Sequence, residues 1–369
     1  MVTSRVEIAG VADVSVGYGS PQIPRLMESL AEHYEREVVI LEPDQTDKKP
    51  LDTPPRGCAL ERIATSVHPH TTLGRREYIS ATGRRINALR PDLLVLFCTY
   101  TLPVLTQLRY RPRCTVYHCI ETVANYGPLD VAVNRRFASD VDLVVFPEEN
   151  RAQIDGQRCG LSGLPMAVVY NASNDRAFRP SPVGERSLKL LYTGTLDLDR
   201  TLAEYFLRPE LADVSIDIFG NTAGRDRDEL RSRLACLSGP IRYRGYVSAA
   251  TLKELRNIYA YSIIMWAPTD ENQLFAAPNK FFDAIADGIP PIAAPHPQCK
   301  LIIDRYQCGI LMEGWSFEAF LAAIQRAKAA FGTPAYDRMV AGCGRAVECE
   351  LNWPAQFDKV KRLLPPSLI

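Results

Sequence analysis

Short apolar runs alternate with amphipathic stretches in both halves of the chain, and few folds accommodate that alternation. In the first half, VADVSVGYGS reads as a strand closing in a glycine loop at Gly17 and Gly19. A helix through Leu26, Leu30 and Tyr34 and a strand EVVIL follow, giving a strand, helix, strand opening. LLVLF, TVYH and DLVVFP supply three further buried strands, while residues 43–72, rich in Pro, Asp, Lys and Thr, predict an irregular excursion. The second half restarts the pattern with strand LKLLYTG, a helix from Leu202 to Leu207, strand VSIDIFG, charged helix DRDELRSRLACL, strand IRYRGYV, helix TLKELRNIYAY and strand SIIMWAP. Such units pack as parallel sheets covered by helices, so the expected class is α/β. Between the halves, MAVVYNASNDRAFRPSPVGERS turns from a strand into a polar, proline-punctuated linker. That places a domain boundary near residue 180, with domains over 1–180 and 181–351, and 369 residues suit two of them.

The stretch FAAPNKFFDAIADGIPPIAA, Phe275 to Ala294, concentrates the chemistry. Pro278 and Asn279 start a helix, Phe281, Phe282 and Ile285 give it an apolar face, and Gly288 with Pro290 and Pro291 ends it before a brief buried strand. Asn279 and Asp283 are four apart and share a face, with Lys280 beside them at the positive end of the helix. That end suits a phosphate, and Asp283, one turn deeper, suits ribose hydroxyls. The plainer reading is a cap, a dipole-compensating carboxylate and a solvated lysine.

Net charge is zero, and no zinc-ligand or stacked-aromatic pattern is present, which argues against nucleic acid as a partner. Ten cysteines without a C-x-x-C pair suit reduced thiols. No signal-peptide pattern is present and the longest apolar runs are far too short to span a bilayer, so a cytoplasmic protein, or one peripheral at the inner face of the membrane, is expected. Charge is uneven locally: from Gly74 to Arg113 there are eight arginines against Glu77 and Asp92, a face that is either simply solvated or holds an anionic or membrane-linked acceptor. His118 ends the strand TVYH, where open α/β sheets place their ligand crevice, and Glu121 follows three residues on. Asp197 and Asp199 form an Asp-x-Asp spacing beside Arg200, read here as solvated carboxylates and not as a metal site.

The second half resembles the donor domain of retaining glycosyltransferases of the GT-B fold, specifically family four, or group 1. VVYNASNDRAFRP is similar to the family's interdomain segment, YTGTLDLDR stands at its diphosphate-binding loop, IDIFGN at its next strand, and IRYRGYVSAATLKELRNIYAYSIIMWAP follows its order. APNKFFDAIADGIPPIAA is similar to a Pro-Asn-Lys variant of its signature helix. The resemblance implies two Rossmann-like domains facing across a cleft, with a terminal helix, 352–369, crossing back to the first. It implies a nucleoside diphosphate sugar as co-substrate, no cofactor and no metal, and an acceptor bound by the first domain.

By match, Gly17, Gly19, Thr195, Gly220, Tyr246, Asn279, Lys280 and Asp283 would bind the donor, and Tyr18 and Glu121 would lie on the acceptor side. His118, Arg200 and Lys280 would serve the reaction, Arg200 replacing a lysine at the diphosphate. Thr195 stands where many members have arginine, and Phe275 where a glutamate would stand. These departures bear on contacts to the sugar ring and motivate a non-catalytic sugar-nucleotide-binding or partner protein on the same fold as an alternative, alongside a sugar-nucleotide epimerase.

Overall fold

The computed structural model describes the chain except residues 1–5, 18–19, 46–52, 124–126, 174–177, 179–185, 238 and 368–369. It divides into two compact units, one of residues 1–171 with 356–369, the other of residues 172–355.

In the first unit the elements run β1 (Ile8–Val11), α1 (Gln22–Tyr34), β2 (Val38–Pro43), β3 (Cys58–Ile63), α2 (Thr72–Leu89), β4 (Leu93–Phe97), β5 (Cys114–His118), α3 (Pro128–Phe137), β6 (Leu143–Phe146), α4 (Glu149–Arg158) and β7 (Met166–Val168). The seven strands pair in parallel in the order β3-β2-β1-β4-β5-β6-β7. Every residue of β1, β2 and β4 is buried, because helices cover both faces of a parallel sheet and leave no polar side. The Thr71 hydroxyl caps α2 by accepting from the Gly74 N–H at 3.1 Å.

Two readings of this half change. VADVSVG is mostly loop: β1 begins at Ile8 and ends at Val11, leaving Asp13 beyond its carboxyl end. The excursion at 43–72 contains the edge strand β3, whose Glu61 pairs with Arg85 at 2.6 Å, so polar side chains serve ion pairs where a buried strand would carry apolar ones.

The second unit contains β8 (Ser187–Thr193), β9 (Ile216–Phe219), α5 (Arg227–Ala235), β10 (Ile241–Gly245), α6 (Ala249–Leu255), β11 (Tyr259–Ile264), α7 (Glu271–Leu274), α8 (Asn279–Ala286), β12 (Pro291–Ala293), α9 (Pro297–Tyr306), β13 (Ile310–Leu311), α10 (Phe317–Ala330) and α11 (Pro334–Cys349). Its six strands, also all parallel, take the order β10-β9-β8-β11-β12-β13. The expected helix at 202–207 is a single 3-10 turn, Ala203–Leu207, entered by Leu202 at φ 53°. Tyr259, Ala260 and Tyr261, read as the end of a helix, open β11 instead, since their aromatic side chains fill a strand buried on both faces. The final helix, α12 (Trp353–Lys361), spans the division at 355, and the chain from Gln356 onward packs with the first unit. There the Tyr170 N–H donates to Gln356 Oε1 at 2.9 Å and the Tyr34 hydroxyl to the Pro365 carbonyl at 2.7 Å.

Both sheets reverse direction at one place, between β1 and β4 in the first and between β8 and β11 in the second. The loops leaving two adjacent strands there diverge to opposite sides and open a crevice beyond the carboxyl ends. No described helix is long and apolar enough to cross a membrane.

Candidate active site

In the second unit the crevice is built by the loops after β8 and β11. Gly194, at φ 121°, leaves β8, and its N–H donates to the Phe219 carbonyl at 2.9 Å. Gly220, at φ 148°, packs so closely that a Cβ there would lie 1.8 Å from the Gly194 carbonyl oxygen. Its N–H donates to the Gly245 carbonyl at 2.9 Å, and its own carbonyl accepts from the Tyr243 hydroxyl. Gly220 therefore shapes the crevice by bringing two backbones together.

The following loop is held from within. Asp197 Oδ1 accepts from the N–H groups of Asp199 and Arg200 at 2.9 and 3.2 Å, so the first carboxylate of the Asp-x-Asp pair holds the turn. The Arg200 carbonyl accepts from the Ala267 N–H at 2.8 Å, joining this loop to the one after β11. Arg200 Nε donates to Gln273 Oε1 at 3.2 Å, and Asp270 caps the turn carrying Gln273. The guanidinium is thus aimed by a neutral partner and keeps its charge for a ligand.

Lys280 is the second residue of α8. Its Nζ stands 3.9 Å from the centroid of the Tyr192 ring and 4.2 Å from that of Trp266. These two faces attract a cation without neutralising it. Burial, then the Arg200 charge, push Lys280 down to about 7. Among the described residues no carboxylate pairs with it. Beside it at the helix start, Asn279 Oδ1 is buried with no hydrogen-bond partner among the described residues, and Pro278 provides no side-chain cap. A site with two cations, a helix N-terminus and an unmet amide acceptor can hold an anion carrying hydroxyl groups.

Asp283 lies one turn on but faces a different partner. Its Oδ2 accepts from Arg256 Nη2 at 3.3 Å, and Asp287 Oδ2 accepts from Arg256 Nη1 at 3.0 Å. Thr195 is exposed, with its carbonyl accepting from the Tyr192 hydroxyl at 3.1 Å, and Tyr246 is 62% exposed. Tyr192, Trp266 and Gln273 were not singled out from sequence. Trp266 follows the apolar run of β11, a signal that could have drawn attention to it. Behind Trp266 lies His296, its ring 6.0 Å from Trp266 and 5.9 Å from Trp315, kept neutral by burial that lowers it to about 4.

In the first unit, His118 ends β5 as expected, but its ring is buried against Phe97, with centroids 5.6 Å apart and no partner for either nitrogen among the described residues. Burial pushes it down to about 3, so it is a neutral, enclosed ring. Glu121 pairs with Arg151 at 3.4 Å. Gly17, at φ 99°, is exposed in the loop after β1, and Tyr18 and Gly19 lie outside the described residues.

Asp13, unremarked in the sequence, faces a small recess beyond β1 and β4 together with His70, Arg75 and Tyr100. Desolvation raises Asp13 to about 6 against an opposing hydrogen bond from Cys98, which itself sits at φ 65°. Of the arginine cluster, Arg75 stacks on Tyr100 at 3.5 Å, Arg85 pairs with Glu61, Arg90 lies 5.1 Å over Tyr110, and Arg111 pairs with Asp142 at 3.4 Å.

Residues 188–329 match the family model for group 1 glycosyl transferases, which bears out the resemblance read from the sequence. No curated protein matches the chain. Among solved structures, the fold is similar to sucrose-phosphate synthase from Thermosynechococcus elongatus, at 17% identity and TM-score 0.72 over 97% of this chain and 98% of that one. It is similar to HepE from Anabaena, solved with UDP and glucose, at 13% identity and TM-score 0.72 over 97% and 98%. WaaG, a glycosyltransferase involved in lipopolysaccharide biosynthesis, matches at 13% identity and TM-score 0.70 over 96% and 99%. The fold is GT-B: α/β, with two Rossmann-like units.

Proposed function

We propose that this chain is a retaining glycosyltransferase that binds a nucleoside diphosphate sugar in the second unit and moves the sugar to a hydroxyl of an acceptor held by the first. The observation that carries the reading is Lys280: a cation caged by two rings, beside a second cation and a helix start, with no carboxylate among the described residues to neutralise it. A diphosphate supplies the missing negative charge. Asn279 Oδ1 accepts from a donor hydroxyl, and Asp283 offers Oδ1 to the ribose while Arg256 fixes Oδ2.

In the reaction the bond from the anomeric carbon to the β-phosphate oxygen breaks and the bond to the acceptor oxygen forms on the same face. The acceptor's proton passes to the leaving phosphate. Charge grows on that phosphate, and Lys280, Arg200 and the N-terminus of α8 stabilise it without a metal ion. Preorganised donors of this kind are each worth roughly 3 kcal/mol in a dry site.

The test is to incubate the protein with UDP-glucose, UDP-galactose, UDP-N-acetylglucosamine and GDP-mannose, in EDTA, with a panel of glycoside acceptors. Release of one nucleoside diphosphate together with an α-linked product is expected. Nucleotide binding without product from any pair would favour a non-catalytic binding protein, and conversion of the donor sugar without an acceptor would favour an epimerase.

A further inference from the structure

His296 is wholly buried behind the donor crevice, and no step of the transfer uses it. The sequence Pro295-His296-Pro297 sets its backbone, because a residue before proline is kept out of the helical region. It stands at φ −59° and ψ 133° as the residue that opens α9. Its N–H donates to the Ala294 carbonyl at 2.7 Å and its carbonyl accepts from the Lys300 N–H at 2.9 Å, so the main chain there is fully engaged.

The ring has two kinds of contact. Nδ1 lies 3.2 Å from the Leu274 carbonyl oxygen, which can only accept, so Nδ1 carries the hydrogen. Burial lowers His296 to about 4, so the ring is neutral at pH 7 and Nε2 is a bare acceptor, with no hydrogen-bond partner among the described residues. A leucine would fill the space without that desolvation cost, so the donor at Nδ1 is the part of the ring that an apolar side chain cannot supply. The ring also packs at steep angles between two indoles, 6.0 Å from Trp266 and 5.9 Å from Trp315. Trp315 is the fixed side of that wedge: it packs on the core of the sheet, and its carbonyl accepts from the Tyr205 hydroxyl at 2.6 Å.

Each contact leads to one of the two cations. Leu274 ends α7, the single turn whose start Asp270 caps by accepting from the Gln273 N–H at 2.8 Å. Held at both ends, that turn presents Gln273 Oε1 to Arg200 Nε at 3.2 Å. Trp266 lies on the other contact, with its ring centroid 4.2 Å from Lys280 Nζ. Of the two rings around Lys280, Tyr192 sits within β8 and is fixed by the sheet, whereas Trp266 stands past the end of β11 and depends on side-chain support. Arg200 and Lys280 are like charges that repel, so their supports must be tied together. His296 touches both supports, and as a neutral ring it adds no third charge.

We propose that His296 is a positioning residue for diphosphate recognition, fixing the α7 turn and the Trp266 ring together so that Arg200 and Lys280 converge on one anion. The inference rests on the nucleoside diphosphate reading of this crevice. His296 acts through its neighbours: the hydrogen bond at Nδ1 sets Arg200, and the ring edge sets the cage of Lys280.

The test compares a nucleoside diphosphate with its monophosphate by calorimetry at pH 7, using the base that wild type prefers among UDP, GDP, ADP and dTDP. The proteins are wild type, His296→Asn, His296→Gln and His296→Leu. Asparagine carries a donor at the place of Nδ1, glutamine at the place of Nε2, and leucine carries none. His296→Leu and His296→Gln should weaken the diphosphate tenfold or more and the monophosphate less than threefold. His296→Asn should bind the diphosphate at least threefold more tightly than either. Thermal unfolding shows whether each variant folds, and the glutamine variant carries the test where the leucine variant does not. Equal losses for monophosphate and diphosphate would mean that His296 supports the fold alone, and overturn the proposal. So would diphosphate affinity unchanged by leucine and glutamine, or an asparagine variant no better than leucine. Binding of no nucleotide by wild type strikes the donor reading and this inference with it, whereas binding that the substitutions leave alone strikes this inference only.

Discussion

At the scale of single residues, environment sets charge. Lys280 is desolvated by burial, lies near the Arg200 charge and has no counter-ion among the described residues, so it sits near 7 where an ordinary lysine sits at 10.5. A bound diphosphate favours the charged form and raises that value. Between pH 7 and the raised value, the empty protein is largely neutral at Lys280 and must take up a proton to bind. Nucleotide affinity should therefore fall as pH rises above 7, by up to about tenfold per unit, and proton uptake should appear as a buffer-dependent enthalpy in calorimetry at pH 8.5. Lys280→Arg, charged throughout, should bind with a flat profile over the same range. A flat profile in the wild type would show that Lys280 is charged before the ligand arrives. Asp13 is the opposite case, a carboxylate raised to about 6 by burial.

At the scale of elements, the site depends on backbones brought together. Gly220 shows this most clearly, since its φ of 148° and the 1.8 Å approach of a would-be Cβ to the Gly194 oxygen leave no space for a side chain. Gly220→Ala should destabilise the second unit by roughly 3 kcal/mol through combined strain and overpacking, measured by urea denaturation. A loss under about 0.5 kcal/mol would mean that the two loops part easily. The elements differ in how far they could be read beforehand. The helix from Asn279 was legible because proline, a polar start, an apolar stripe and a glycine stop occur in consecutive residues. LLVLF and TVYH were legible because a strand buried on both faces is a continuous apolar run. The edge strand β3 was not: it buries little and pairs charged side chains with neighbouring elements, leaving no local hydrophobic signal. Asp13 was hidden differently, since the alternating valines around it imitate a strand while the backbone there is a loop ordered by contacts from Gln45 and Pro43.

At the scale of the molecule, a seven-stranded and a six-stranded sheet each reverse their strand order at one point, and the candidate donor site lies at that point of the second. That candidate site is not contiguous in sequence. Lys280 and Asn279 stood out by motif, but the rings that cage Lys280 come from the ends of β8 and β11, about 75 residues apart, and only the parallel pairing of those strands brings them together. The family match covers the second unit's sheet, while the likeness to solved structures extends over nearly the whole chain at identities that show fold and not substrate. The central claim is that the second unit is a nucleoside diphosphate site organised by an uncompensated Lys280. Its most direct test is calorimetric titration of UDP, GDP, ADP and dTDP, without added metal, into wild type and Lys280→Ala at pH 7. Saturable one-to-one binding of one of them, weakened at least tenfold, or about 1.4 kcal/mol, by the substitution is expected. Binding of none, or equal affinity in the two proteins, would contradict it.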